Sequence, residues 1–219
     1  MTRQLKLLAL AAVAVLALSA VSAASASAAS FFTTQSTPTF IKGLQQTKNV
    51  FTDTAGTIKC SAAEFTSGQI SSNAVGTVNV HPTYGGCTAF GQAASVSTTS
   101  CSYTLSIVSV SGSTGDGSIV IDCSSGTTIV INLPAAGCSV TIGAQSFPGG
   151  GNTIDYESIG SGATEAILVT STVSAIVWAA SGGICDTNST GATASITGTV
   201  LTKGYDQAAF STQHGIFVG

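Results

Sequence analysis

The sequence predicts an all-β protein: a single antiparallel β-sandwich, or alternatively a β-barrel, of about twelve short strands with disulfides. Three observations predict it. Apolar and polar residues alternate with period two in segment after segment, clusters of turn-forming residues recur about every ten residues, and six cysteines follow an export-like N-terminus.

The alternation is clearest from Cys101 to Ile142. Cys101, Tyr103, Leu105 and Ile107 share one face of a first strand, with Ser102, Thr104 and Ser106 opposite. Ile119, Ile121 and Cys123 share a face of a second, Ile129, Ile131 and Leu133 of a third, and Cys138, Val140 and Ile142 of a fourth. Successive side chains of a strand point to opposite sides of the sheet. Each segment therefore has one apolar and one hydroxyl-rich face, and the three cysteines point inward, as in an antiparallel sheet with one wet side. The connecting runs SGSTGDG, SSG and PAAG supply turn residues. Asp116, in the first run, belongs to a type I′-like turn rather than a calcium loop, because the repeated Asp/Asn spacing of such loops is missing.

Residues 1–28 read as a signal peptide: Arg3 and Lys6, an apolar run over 7–21, then small-residue cleavage patterns ending at Ala26 or Ala28. No second long apolar run follows, so no stable membrane anchor is expected once the signal is removed. Residues 29–48 read as an N-terminal arm with an edge strand over 39–42, and residues 49–219 as one disulfide-stabilised domain. Further strands are expected in NVFTDTAGTIKC, VGTVNVHP, AILVTS, TVSAIVWA and ASITGTVLTKG, with a flexible loop at QSFPGGGN.

In an oxidising compartment the six cysteines read as three disulfides. Cys101 and Cys123 face the same way on adjacent arms of a hairpin. Cys60 and Cys138 each open a strand, and Cys87 and Cys185 each follow a Gly-Gly turn. The preferred pairing is Cys60–Cys87, Cys101–Cys123 and Cys138–Cys185, with Cys123–Cys138 as the rival. The spacing shows no CxxC or His-rich metal pattern, and no cofactor is expected.

Beyond residue 28 there are four lysines and no arginine against nine Asp and Glu, a formal charge of −5. That balance argues against nucleic acid, which needs cations on its phosphates. Only 7% of residues are charged, against roughly 25% in ordinary domains. The surface is therefore neutral and hydroxyl-rich, with little charge to block strand edges from pairing. Self-association or contact with a cell-envelope polymer follows as an expectation.

Catalytic patterns are thin. His81 and His214 are the available imidazole bases, and no G-x-S-x-G elbow accompanies them. Asp155 and Glu157 share a strand face and are more simply a solvated pair than a glycosidase couple. Tyr84, Tyr156 and Tyr205, with Trp178, are weak ligand-binding candidates as a sugar-stacking platform, although Trp178 also suits the core. Asn188, Ser189 and Thr190 match a glycosylation acceptor pattern.

The segments FIKGLQQTKNVFTDTAGTIKC, YGGCTAFG, CSYTL, IDC, CSVTIGAQ and HGIFVG resemble a group of secreted six-cysteine β proteins of actinobacteria, of the Solirubrobacterales-like branch. No activity is attached to that group. The resemblance implies an exported β protein in a Gram-positive setting and transfers no site residue. The expected function is a secreted, non-enzymatic surface or extracellular structural or adhesive protein. The alternative is a binding module for a neutral glycan or small apolar ligand, and a secreted hydrolase stands third.

Overall fold

Each long strand has two sides of backbone donors and acceptors to satisfy, and the way it finds neighbours on both sides decides the architecture. A computed structural model describes residues 32–219 other than 54–55, 148–151, 184 and 186–189. The signal-peptide reading, Asn188 and Ser189 lie outside the described residues.

In chain order the strands are β1 (Phe32–Thr34), β2 (Thr39–Thr52), β3 (Thr57–Ile70), β4 (Ala74–Val75), β5 (Thr77–Ala89), β6 (Gln92–Ser97), β7 (Cys101–Ser111) and β8 (Thr114–Cys123). There follow β9 (Ile129–Leu133), β10 (Cys138–Ile142), β11 (Gln145–Phe147), β12 (Thr153–Ile159), β13 (Ala166–Ser181), β14 (Thr190–Tyr205), β15 (Gln213–His214) and β16 (Ile216–Val218).

β13 pairs with β14, β14 with β2, β2 with β3 and β3 with β5. β5 then pairs with β7, β7 with β8, β8 with β12, and β12 returns to β13. Every pair is antiparallel, and the circuit closes an eight-strand barrel. Of the two predicted architectures the sheet takes the barrel, because closure leaves no long edge to cover. β2 lies inside this wall between β3 and β14. The reading of residues 29–48 as an arm with an edge strand is corrected accordingly: β2 runs without a break across the proposed boundary at 48/49.

The wall also splits. Residues 77–80 of β5 pair with β7, whereas residues 87–89 pair with β6. Residues 166–172 of β13 pair with β12, whereas residues 179–181 pair with β10. Since β6 pairs with β9 and β9 with β10, a second closed circuit stands beside the first along the barrel axis. The two share β5, β3, β2, β14 and β13. Those strands are 13 to 16 residues long, roughly 43–53 Å at about 3.3 Å per residue, tall enough to serve both rings.

A small antiparallel sheet, β16–β1–β4, closes the end of the barrel where β2 begins. Phe32, Ile216 and Val218 from it are buried, and the Phe32 ring meets Tyr156 edge-on with centroids 5.2 Å apart.

The three disulfides are Cys60–Cys87, Cys101–Cys123 and Cys138–Cys185, the pairing preferred from the sequence. Cys60 lies directly opposite Cys87, and Cys101 opposite Cys123, so both bridges lock the register of neighbouring strands. Two local expectations are corrected. Gly85 and Gly86 lie within β5 rather than in a turn, and the β7–β8 turn is at Gly112 and Ser113, which places Asp116 in β8 itself.

Trp178 is buried. Strict alternation would put Val173 and Trp178 on opposite faces, yet both point inward. β13 slips its register against β14 between Val173 and Ile176, with Ala175 in the left-handed region at φ 58°. A bulge inserts an extra residue and restores the inward parity of Ile176 and Trp178, leaving Val177 exposed.

Candidate functional site

An eight-strand barrel is just wide enough for its side chains to fill it or to hold one small ligand. Among the described residues two chambers lie along the axis, of about 70 and about 60 Å³. The first lies toward the β1–β4–β16 plug, among Ile41, Ile154, Tyr156, Ile167 and Val200. The second lies within the ring completed by β6, β9 and β10, among Phe51, Ile131, Ile142, Phe147 and Ile176. Asn49, Tyr103 and Ile119 line both and form the waist between them.

The apolar lining follows from the alternation along each strand. The polar groups need a separate explanation. Asn49 is only 6% exposed and sits where β2 breaks register against β3, between Leu44 and Asn49. The bulge turns Gln45 back toward Asn49. Gln45 Oε1 accepts from Asn49 Nδ2 at 2.7 Å and from the Asn49 backbone N–H at 3.3 Å. Gln45 Nε2 donates to the Cys60 carbonyl at 3.3 Å. This chain of bonds fixes both amide orientations, because a carboxamide nitrogen only donates and its oxygen only accepts. Asn49 Oδ1 is left facing Gly198, where a Cβ would stand 2.6 Å from it. Ser171, which lines the first chamber, donates to the Gly198 carbonyl at 3.2 Å.

Across the waist, the Tyr84 and Tyr103 hydroxyls are 3.1 Å apart. Burial pushes both above the ordinary tyrosine range, and each hydroxyl is influenced by the other, so both stay protonated near neutrality. Two hydroxyls sharing one hydrogen bond leave one proton over. Deeper toward the plug, Tyr156 is 1% exposed. It donates to the Ser106 carbonyl at 3.4 Å and is likewise raised by burial. Its ring occupies the space a Cβ at Gly117 would take, 2.3 Å from Cε2.

The structure does not bring the predicted platform together. Tyr84 and Tyr156 are inside the barrel in different chambers, whereas Tyr205 is on the outside against Phe210, with Lys42 Nζ 5.1 Å from the Phe210 ring centre. An exposed stacking surface made of these three rings is therefore overturned. Asp155 and Glu157 are exposed on the outer face of β12, and neither lines a chamber. Asp155 stands opposite Asp116 of β8, whose carboxylate accepts from Ser109 Oγ at 2.9 Å. His81 is exposed on β5, and His214 is half-buried on β15 opposite Gly204. Among the described residues no group of three or more His, Cys, Asp or Glu side chains is placed to hold a metal ion.

The residue that sequence reasoning missed is Asn49. Its signal is the polar run Gln45, Gln46, Thr47, Lys48 and Asn49 inside an otherwise alternating strand. A period-two strand can carry such a run only by bulging or by burying polar groups, and β2 does both. Gly198, an isolated glycine in the middle of β14, is the matching signal of a close approach.

No family model, curated protein or solved structure matches this chain.

Proposed function

We propose that this is an exported, non-enzymatic β-barrel that holds a small apolar molecule in its interior. The observation that carries the proposal is the pair of apolar chambers stacked inside a closed wall. Export is supported by the N-terminal pattern and by three disulfides, which persist in oxidising compartments. The outward residues of β2, β12, β13 and β14 include Lys42, Asp155, Glu157, Thr170, Thr199 and Lys203. Such a surface faces water or a polar polymer, unlike the apolar band of a membrane barrel.

Dry apolar cavities bind benzene or xenon in proteins where they have been engineered. Titrating the oxidised protein with xenon, the smaller of the two probes, should give saturable NMR shifts of the methyl groups of Ile167 in the first chamber and Ile142 in the second. Shifts that grow linearly without saturation, or that fall only on outward methyls such as Val108, would overturn the proposal.

A second reading, self-association at the outer surface, is favoured by one observation. Leu44, Leu201 and Leu168 form an outward row across β2, β14 and β13, and Leu44 is 44% exposed. It ranks below the interior site because the sheet edges left among the described residues are short: strands of two or three residues and the end of β7 over 108–111.

A further inference from the structure

We propose that the β1–β4–β16 plug is a lid, which opens as a unit of its own and admits an apolar molecule to the first chamber. The proposal rests on the binding reading above and names the route into that site. A ligand enters a closed barrel through its wall or through an end. The wall is a continuous ladder of antiparallel pairs, and parting two strands breaks backbone hydrogen bonds in series. An end opens at lower cost, and the two ends differ.

All three disulfides lie in the half away from the plug. Cys60 stands against Asn49, in the later half of β2. The β7–β8 turn is at the plug end, where the Ser113 carbonyl accepts from the Ser158 backbone N–H at 2.7 Å. Cys101–Cys123 joins the same hairpin at its opposite end. Cys138 belongs to β10, in the second ring. Among the described residues, no covalent bridge ties the plug to the wall.

The plug is also a sheet apart. β1 pairs with β16 and β4 and with no strand of the wall. Each of the three strands has only two or three residues. Few hydrogen bonds reach from β1 and β16 to the barrel. The Ile216 N–H donates to the Glu165 carbonyl at 3.1 Å, the Val218 N–H donates to Ser158 Oγ at 3.0 Å, and the Thr34 and Thr39 hydroxyls are 2.7 Å apart. Ser158 keeps the parity of the inward Ile154 and Tyr156, so β12 ends in a polar catch for the plug backbone. The seal itself is apolar: Phe32, Ile216 and Val218 are buried, and Phe32 and Ile216 line the first chamber. Closed, the plug completes that chamber; displaced, it uncovers it. A segment held by few hydrogen bonds and no cross-link opens locally, at a lower free energy than global unfolding.

Native-state hydrogen exchange of the oxidised protein, over a series of urea concentrations below the unfolding transition, separates plug from wall. The amides of Ile216 and Val218 are expected to exchange about tenfold or more faster than the ladder amides of β13 and β14, with little dependence on urea, because a small opening exposes little surface. Equal rates with equal urea dependence would overturn the proposal, by making the plug part of one cooperative unit with the barrel. Ser158→Ala then tests passage. Ser158 lines neither chamber, so the variant leaves the site as it is. Loss of one ordinary hydrogen bond should speed exchange of the plug amides about fivefold. The association rate of xenon, read at the Ile167 methyls, should rise by the same factor with its dissociation constant unchanged, since only the way in has been eased. A xenon rate that stays fixed while plug exchange speeds up would overturn the lid and leave the binding reading standing, because xenon would be entering elsewhere. Failure of xenon to bind at Ile167 would overturn the binding reading and the lid with it.

Discussion

Three tyrosines, Tyr84, Tyr103 and Tyr156, point into the barrel, and burial raises the proton affinity of each. The consequence for stability has a definite sign. The folded chain keeps these protons at a pH where the unfolded chain loses them, so above about pH 10 the unfolded state binds fewer protons and unfolding becomes easier as pH rises. Stability conferred by the neutral rings is complete below the ordinary tyrosine value and is lost as pH climbs toward the raised folded values. In an alkaline titration followed by tyrosinate absorbance and far-ultraviolet circular dichroism together, the ionisation of these three residues should coincide with loss of the β signal. Smooth ionisation of all tyrosines while the β signal persists would contradict the burial described. At this scale the sequence was legible in part. Tyr103 shows its inward parity plainly. Tyr84 shares the inward parity of Val78, Val80 and Pro82, but Gly85 and Gly86 read as a turn and hide that β5 runs on; with Gly86 at φ 58° the alternation slips after Tyr84, so that Cys87 and Ala89 face inward.

Among the elements, the two bulged strands shape the interior. β2 bulges over residues 45–48, just ahead of the inward Asn49, and β14 answers with Gly198. Replacing Gly198 with alanine adds a Cβ 2.6 Å from Asn49 Oδ1 and 3.0 Å from its Cγ. The carboxamide is held by Gln45 and cannot swing away freely. Overpacking of this kind costs about 1–3 kcal/mol, and urea denaturation of Gly198→Ala should show a midpoint lowered accordingly, with the slope unchanged. A midpoint equal to that of the unsubstituted protein would mean that Asn49 moves without cost and that the waist is not rigid. These bulges also mark where sequence reasoning stops. From Cys101 to Ile142, period two holds, and the four strands β7 to β10 and their cysteines were readable directly. In β13 an extra residue shifts every later side chain to the other face, and no periodicity shows where the slip falls; in β2 the inward parity of Ile41 and Gly43 resumes at Asn49 and Phe51, and the polar run between them hides that the strand continues. The pairing of β5 with both β6 and β7 is a long-range choice that local pattern does not encode.

For the whole molecule, the decisive feature is closure. A neutral surface with few charges would suggest edge-to-edge pairing if the sheet were open, and the sequence by itself favours that outcome. Closing eight strands removes the long edges, and the split at β5 and β13 spends the remaining ones on a second ring. Among the described residues, what stays unpaired belongs to short pieces such as β4, β11 and β15, of two or three residues, and to residues 108–111 of β7, which pair with β8 alone. Strands that short offer too few hydrogen bonds to repay the entropy of ordering a second chain. The outward row of Leu44, Leu201 and Leu168 is a modest apolar strip set beside Lys42, Lys203 and Glu64, and charges at a strip's border oppose its burial against a copy. The oxidised protein should therefore travel as a single chain. Size-exclusion chromatography with light scattering over a hundredfold range of concentration, from about micromolar upward, is expected to return one monomeric mass throughout. Growth into larger species with concentration would transfer the argument to the outer surface. Substituting Leu44 with lysine would then decide between its two parts: assemblies that dissolve would assign the contact to the leucine row, and assemblies that persist would assign it to the short edges.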